Sequence, residues 1–164
     1  MSEKLYFAKV NPEAIIPTKR DEDGCYDIYV LTEEDEVIIK PHEIKTFPTG
    51  IATAVSPKYR LDFQRERGST GSIGLAPRCG QVDSGYRGEV FLKLQNTTEK
   101  PIIISKLVDE KMEDEIITIY PVTKAVCQMA LEVVPQVEEV EISYDELLAM
   151  PSLRGTGALG SSGK

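Results

Sequence analysis

The ten residues Gly80-Gln81-Val82-Asp83-Ser84-Gly85-Tyr86-Arg87-Gly88-Glu89 carry the side chains best suited to chemistry. Asp83 and Tyr86 stand three apart: a carboxylate that can take a proton from water, and a ring that can form one wall of a pocket. Glycines at 80, 85 and 88 bracket them, with strand-like runs on either side, so the pair is expected at the mouth of a hairpin. An isolated Asp-x-x-Tyr is usually an ordinary turn with an incidental acid, so the rest of the chain has to decide its role.

Composition narrows the other chemistries. His42 is the single histidine, set in Lys40-Pro41-His42-Glu43, and a Ser-His-Asp triad would depend on it alone. Cys25, Cys79 and Cys127 are odd in number, widely spaced and free of any C-x-x-C pattern, which favours reduced packing residues over disulfides or zinc ligands. The formal net charge of −8 disfavours a general nucleic-acid binder. A phosphate ligand would need local arginines and a divalent cation to overcome that field. No run of eighteen apolar residues occurs and the N-terminus lacks the order of a secretory signal, so a soluble, cytoplasmic protein without membrane contact is expected.

The elements that must hold Asp83 and Tyr86 read as short β-strands. With 164 residues, 41% of them hydrophobic, one compact domain is the default. Between Tyr26 and Val134, β-branched runs alternate with turn clusters at Asp21 to Gly24, Thr32 to Asp35, Gly68 to Gly74 and Asn96 to Thr98. That spacing predicts an all-β sandwich or barrel. Val90, Leu92 and Leu94 alternate with Phe91, Lys93 and Gln95, the period of a strand with one face in the core. Ile116 to Tyr120 and Ala125 to Val134 read likewise, with Pro121 breaking the run, and the charged stretch Asp109 to Glu115 reads as a solvated hairpin tip. One helix is predicted over Tyr144 to Met150, with Ser143 and Glu146 as a capping box and Pro151 ending it. From Ser152 the chain is glycine- and serine-rich and by itself can bury almost nothing. No internal repeat is present, and the tail is not a phosphate-binding P-loop, because Ala158 occupies the place of that motif's first glycine.

Asp83 does not stand alone. The stretch Gly80 to Glu89 resembles the third of five ordered motifs of the dUTP diphosphatase family, G-V-I-D-x-x-Y-R-G. Asp23-Gly24-Cys25-Tyr26-Asp27-Ile28 is similar to the first, Arg67-Gly68-Ser69-Thr70-Gly71 to the second, Lys124-Ala125-Val126-Cys127-Gln128 to the fourth, and Arg154 to Gly163 to the fifth. Each motif is weak, but five in order over nearly the whole chain are specific.

The resemblance implies a jelly-roll β-sandwich that assembles as a homotrimer with active sites at subunit interfaces. It implies a β-domain over 1–142, a short helical connector over 143–153 and a flexible arm over 154–164. The implied reaction is hydrolysis of dUTP to dUMP and pyrophosphate, which limits uracil incorporation into DNA and supplies dUMP for dTMP synthesis. Asp83 would deprotonate a water that attacks the α-phosphorus, and Gln128 would help to hold that water. Tyr86 would pack under the deoxyribose and collide with a ribose 2′-hydroxyl. Main-chain groups of Gly80 and Val82 would read uracil, and a wrong base would leave buried donors or acceptors unpaired, at about 1–3 kcal/mol each. Arg67, Gly68, Ser69 and nearby amides would hold the triphosphate. Mg²⁺ would be carried by the phosphates and waters, one of them bonded to Asp27. Arg154, Leu159, Gly160, Ser161 and Ser162 would close over the nucleotide.

Several positions depart from the family pattern. Leu159 stands where a phenylalanine usually stacks on uracil, Ala158 and Gly68 replace a glycine and a serine, and Lys124 and Ala125 differ from the usual G-D-R-I. Two other readings stay open. A dCTP deaminase shares the fold, but Lys93 stands where that family places its catalytic glutamate. A dUTPase-fold regulatory binding protein would use Asp109 to Glu115 as a docking surface.

Overall fold

The computed structural model describes residues 3–158, with Gln64 and Arg65 described by their backbone alone. Thirteen strands follow one another: β1 (Tyr6–Lys9), β2 (Cys25–Ile28), β3 (Glu36–Ile39), β4 (Ile44–Pro48), β5 (Ile51–Ala54), β6 (Tyr59–Arg65), β7 (Leu75–Pro77), β8 (Gln81–Val82), β9 (Phe91–Asn96), β10 (Ile102–Ser105), β11 (Met112–Glu113), β12 (Thr118–Pro121) and β13 (Cys127–Val133). Helix α1 (Gly68–Gly71) lies between β6 and β7, and α2 (Tyr144–Ala149) follows β13. The strands form four small sheets in the orders β1-β5, β11-β12-β10-β3, β2-β13-β6-β8 and β4-β9-β7. The all-β class expected from the spacing is what the chain adopts.

Alternation builds the core. On β9, Leu92, Leu94 and Asn96 point inward while Phe91 and Lys93 face out. Ile51, Leu61, Phe63, Ile102, Ile104 and Tyr120 complete a continuous cluster with them, joining the sheets into one core. Asn96 is fully buried at the end of β9. Its amide donates to the carbonyls of Ile39 and Lys100 at 3.0 and 2.8 Å, which satisfies a polar group that would otherwise be costly there. All three cysteines are free, and burial pushes the Cys127 thiol well above its ordinary value, as for a packing residue.

Four local features differ from the expectations. Gly68 to Gly74 is one turn of helix followed by a bend, because the Gly71 amide and the Thr70 hydroxyl both donate to the Arg67 carbonyl, at 2.8 and 3.3 Å. The charged stretch 109–115 contains a strand: Met112 and Glu113 pair with Ile119 and Thr118, and Lys100 donates to Glu113 at 3.0 Å. The predicted helix ends at Ala149, one residue early, since Pro151 forces Met150 into an extended conformation (φ −69°, ψ 140°). Its capping box is formed, with the Glu146 amide donating to Ser143 Oγ at 3.2 Å. Finally, the arms of the hairpin that carries Asp83 are β7 and β9, paired from Leu75↔Asn96 to Pro77↔Leu94, while β8 crosses from the hairpin tip to pair with β6.

Beyond β13 the chain leaves the body. The Val134 amide makes a last bond to the Lys58 carbonyl at 2.7 Å, and from Pro135 to Thr156 every residue is exposed.

Candidate active site

Asp83 sits just past β8, where the chain turns. The Tyr86 amide donates to the Asp83 carbonyl at 3.1 Å, closing a tight turn. The Arg87 guanidinium reaches back over that turn to the carbonyls of Ser84 (2.6 Å) and Tyr86 (3.0 Å), and the Tyr86 hydroxyl donates to the Glu89 carbonyl at 2.9 Å. The Glu89 carboxylate in turn accepts from the Gly50 amide at 2.8 Å, tying the tip to the β4–β5 turn. The loop is therefore held by its own side chains before anything binds. It frames a cleft of about 320 Å³ lined by Phe63, Cys79, Gly80, Val82, Asp83 and Tyr86 among others. Glycine at 88 leaves room for the Tyr86 ring: a Cβ there would lie 2.7 Å from its Cζ, and the ring would have to shift.

A second cleft, of about 720 Å³, opens at the other edge of the β2-β13-β6-β8 sheet and is lined by Asp27, Arg67 and Gln128 together with Thr18, Lys19, Arg20 and Asp23. Asp27 and Gln128 face each other as register partners on β2 and β13, and both point away from the core because Ile28 and Cys127 point in. Arg67 Nε lies 3.1 Å from Asp27 Oδ1, and each side chain is 30% exposed, so the guanidinium is held by a carboxylate but still open to a ligand. Arg67 Nη1 also donates to the Ala125 carbonyl at 3.4 Å. Ser69 and Gly68 lie on α1 beside it, and Ser69 Oγ is 3.0 Å from the Tyr120 hydroxyl.

The two clefts are far apart within one chain. Along β6, Leu61 pairs with Val82 while Arg65 pairs with Gln128. Asp83 thus lies roughly 15 Å along the strand and roughly 10 Å across it from Gln128. One water cannot touch both. The structure brings Gly80, Val82, Asp83 and Tyr86 together and, separately, Asp27, Arg67 and Gln128; Arg154 lines neither cleft, its Nε donating to the Gly157 carbonyl at 2.7 Å. Leu159, Gly160, Ser161 and Ser162 lie outside the described residues.

Sequence reasoning missed Lys19, Arg20, Glu89 and Tyr120. Arg20 grips Asp23 with two bonds of 2.9 Å on the rim of the second cleft, which holds the Asp23 carboxyl below its usual range. The sequence marks Asp21 to Gly24 as a turn and Asp23-Gly24 as the start of the first motif, but nothing in it shows that Arg20 would close on Asp23.

Comparison with known proteins decides the family. No family model matches the chain. It is, however, 30% identical to the deoxyuridine 5'-triphosphate nucleotidohydrolase of Nautilia profundicola over 164 residues, covering 98% of this chain and 99% of that one. The chain belongs to the deoxyuridine 5'-triphosphate nucleotidohydrolase family. The nucleotidohydrolase of Mycolicibacterium gilvum is 29% identical, with 99% and 97% of the two chains covered. Among solved structures, the Staphylococcus bacteriophage 80alpha dUTPase with dUPNHPP superposes with a TM-score of 0.69 at 20% identity, covering 98% of this chain and 99% of that one. The EIAV dUTPase superposes at 0.61, also 20% identical, covering 87% and 98%. The dUTPase fold carries the sheets described above.

Proposed function

We infer that this protein hydrolyses dUTP to dUMP and pyrophosphate. The reading rests on membership of the nucleotidohydrolase family over nearly the whole chain, together with a cleft that combines Asp83 and Tyr86. Asp83 takes the proton of the attacking water, which adds to the α-phosphorus as pyrophosphate leaves. A general base of this kind contributes about 10²–10⁴-fold. The Tyr86 ring, fixed by its hydroxyl, forms the floor under the deoxyribose and leaves no space for a 2′-hydroxyl. Gly80 and Val82 read the base through main-chain groups.

The second cleft receives the phosphates. Arg67 supplies a cation, α1 supplies amides, and Gln128 orients the water from the opposite side. Because Gln128 and Asp83 cannot meet in one chain, the complete site takes Asp83 from one copy and Asp27, Arg67 and Gln128 from another, which fits a homotrimer. The unit 1–142 includes, after Val134, an exposed stretch that has left the sheets; 143–153 is the connector, and 154–164 the arm whose Arg154, Leu159, Gly160, Ser161 and Ser162 close over bound nucleotide.

Asp27 suits a hydrated magnesium ion. Among the described residues no three carboxylate, cysteine or histidine side chains gather as a cage. A single half-exposed carboxylate can hold one water of a cation that the phosphates carry. Bound there, Mg²⁺ would offset triphosphate charge. No helix among the described residues is long and apolar enough to cross a membrane. The three free cysteines fit a reducing compartment, the cytoplasm.

Incubating the protein and magnesium with dUTP, dCTP, dTTP and UTP in parallel, with anion-exchange analysis, tests the reading. Products are expected from dUTP alone, as dUMP and pyrophosphate. Conversion of dCTP to a uracil nucleotide would make the protein a deaminase, and no turnover at all would shift the weight to a regulatory binding role.

Gly88→Ala is expected to push the Tyr86 ring out of place while leaving the core intact. Steady-state kinetics should show KM for dUTP raised roughly five- to tenfold and the preference over UTP reduced. An unchanged preference would mean that Tyr86 does not read the sugar.

A further inference from the structure

Tyr120 lies on β12 with its side chain fully buried, and its hydroxyl meets two groups beside Arg67, which lines the second cleft. It donates to the Ala125 carbonyl at 2.8 Å and lies 3.0 Å from Ser69 Oγ. A carbonyl can only accept, and a phenol has one proton. That proton goes to Ala125, so Ser69 is the donor to the Tyr120 oxygen. The same Ala125 carbonyl accepts from Arg67 Nη1 at 3.4 Å, and Arg67 Nε faces Asp27 at 3.1 Å. One buried hydroxyl thus joins α1, the segment before β13 and the arginine of the cleft.

We propose that Tyr120 is a positioning residue for the triphosphate: it fixes Ser69 and, through the Ala125 carbonyl, the guanidinium of Arg67. The proposal rests on the dUTP reading above. In the free protein, Ser69 keeps its proton on Tyr120 and turns its lone pairs outward. When a phosphate oxygen arrives, the Tyr120 hydroxyl turns its proton from Ala125 to Ser69 Oγ, and Ser69 donates its own proton to the phosphate while still held by Tyr120. The free loop therefore meets the phosphates with Arg67 and backbone amides, and Ser69 joins once they are in place. Tyr120 touches no substrate; its effect passes entirely through groups that hold the phosphates beyond the α position.

The test compares affinity for dUMP with affinity for a non-hydrolysable imido analogue of dUTP, by calorimetry in magnesium, for the wild type, Tyr120→Phe, Ser69→Ala and the double variant. Phenylalanine keeps the buried ring and removes only the hydroxyl. Tyr120→Phe is expected to weaken the analogue about five- to tenfold, the scale of one buried hydrogen bond, and to leave dUMP affinity within about twofold. The losses from Tyr120→Phe and Ser69→Ala should be less than additive, since the residues share a bond. Equal weakening of dUMP and analogue would reveal a merely structural hydroxyl and overturn the proposal, as would no loss or full additivity. A wild type that binds neither nucleotide would overturn the dUTP reading itself, and with it this role.

Discussion

Replacing Asp83 by asparagine is expected to lower kcat for dUTP by about a thousandfold or more, while the Kd for a non-hydrolysable analogue changes by less than about threefold. Asparagine has the shape of aspartate and can still hold a water, but it cannot take the proton. The substitution also leaves the loop's own bonds untouched, because the Tyr86 amide contacts the Asp83 carbonyl of the main chain rather than its carboxylate. Rapid-quench or steady-state turnover, paired with calorimetry of the analogue, separates the two effects. Retention of more than about a tenth of the wild-type rate would remove Asp83 from the role of base.

The second large effect concerns the division of the site. Asp83→Asn and Arg67→Ala proteins are each expected to be nearly inactive alone. Mixed, co-refolded and assayed together, they should recover about a quarter of wild-type activity, because a random quarter of sites then pairs an intact Asp83 with an intact Arg67. A site built within one chain would recover nothing. The expectation follows from strand register alone: Val82 and Gln128 pair with β6 at Leu61 and Arg65, four residues apart on opposite sides of that strand.

Local chemistry was legible in the sequence. The glycines around Asp83 and Tyr86 announced a turn, and the capping box at Ser143 announced α2, because both depend on neighbours a few residues away. The period-two pattern of Val90 to Gln95 announced β9 for the same reason. What the sequence hid was non-local. Nothing near Gln128 says that β6 lies between it and β8, so the existence of two clefts had to wait for the sheet order. Tyr120, in an apolar strand, reads as a plain core residue; only the fold brings α1 to its hydroxyl. The charged stretch 109–115 reads as solvent-exposed and is, yet its backbone still pairs with β12, since edge pairing asks little of side chains. Met150 shows the reverse case, a boundary that the following proline already dictated.

Hydrolysis in ¹⁸O-labelled water, with mass analysis of both products, tests the central claim most directly. Attack at the α-phosphorus by a water held at Asp83 puts the label in dUMP and leaves pyrophosphate unlabelled. Label in pyrophosphate, or the absence of both products from dUTP, would contradict it.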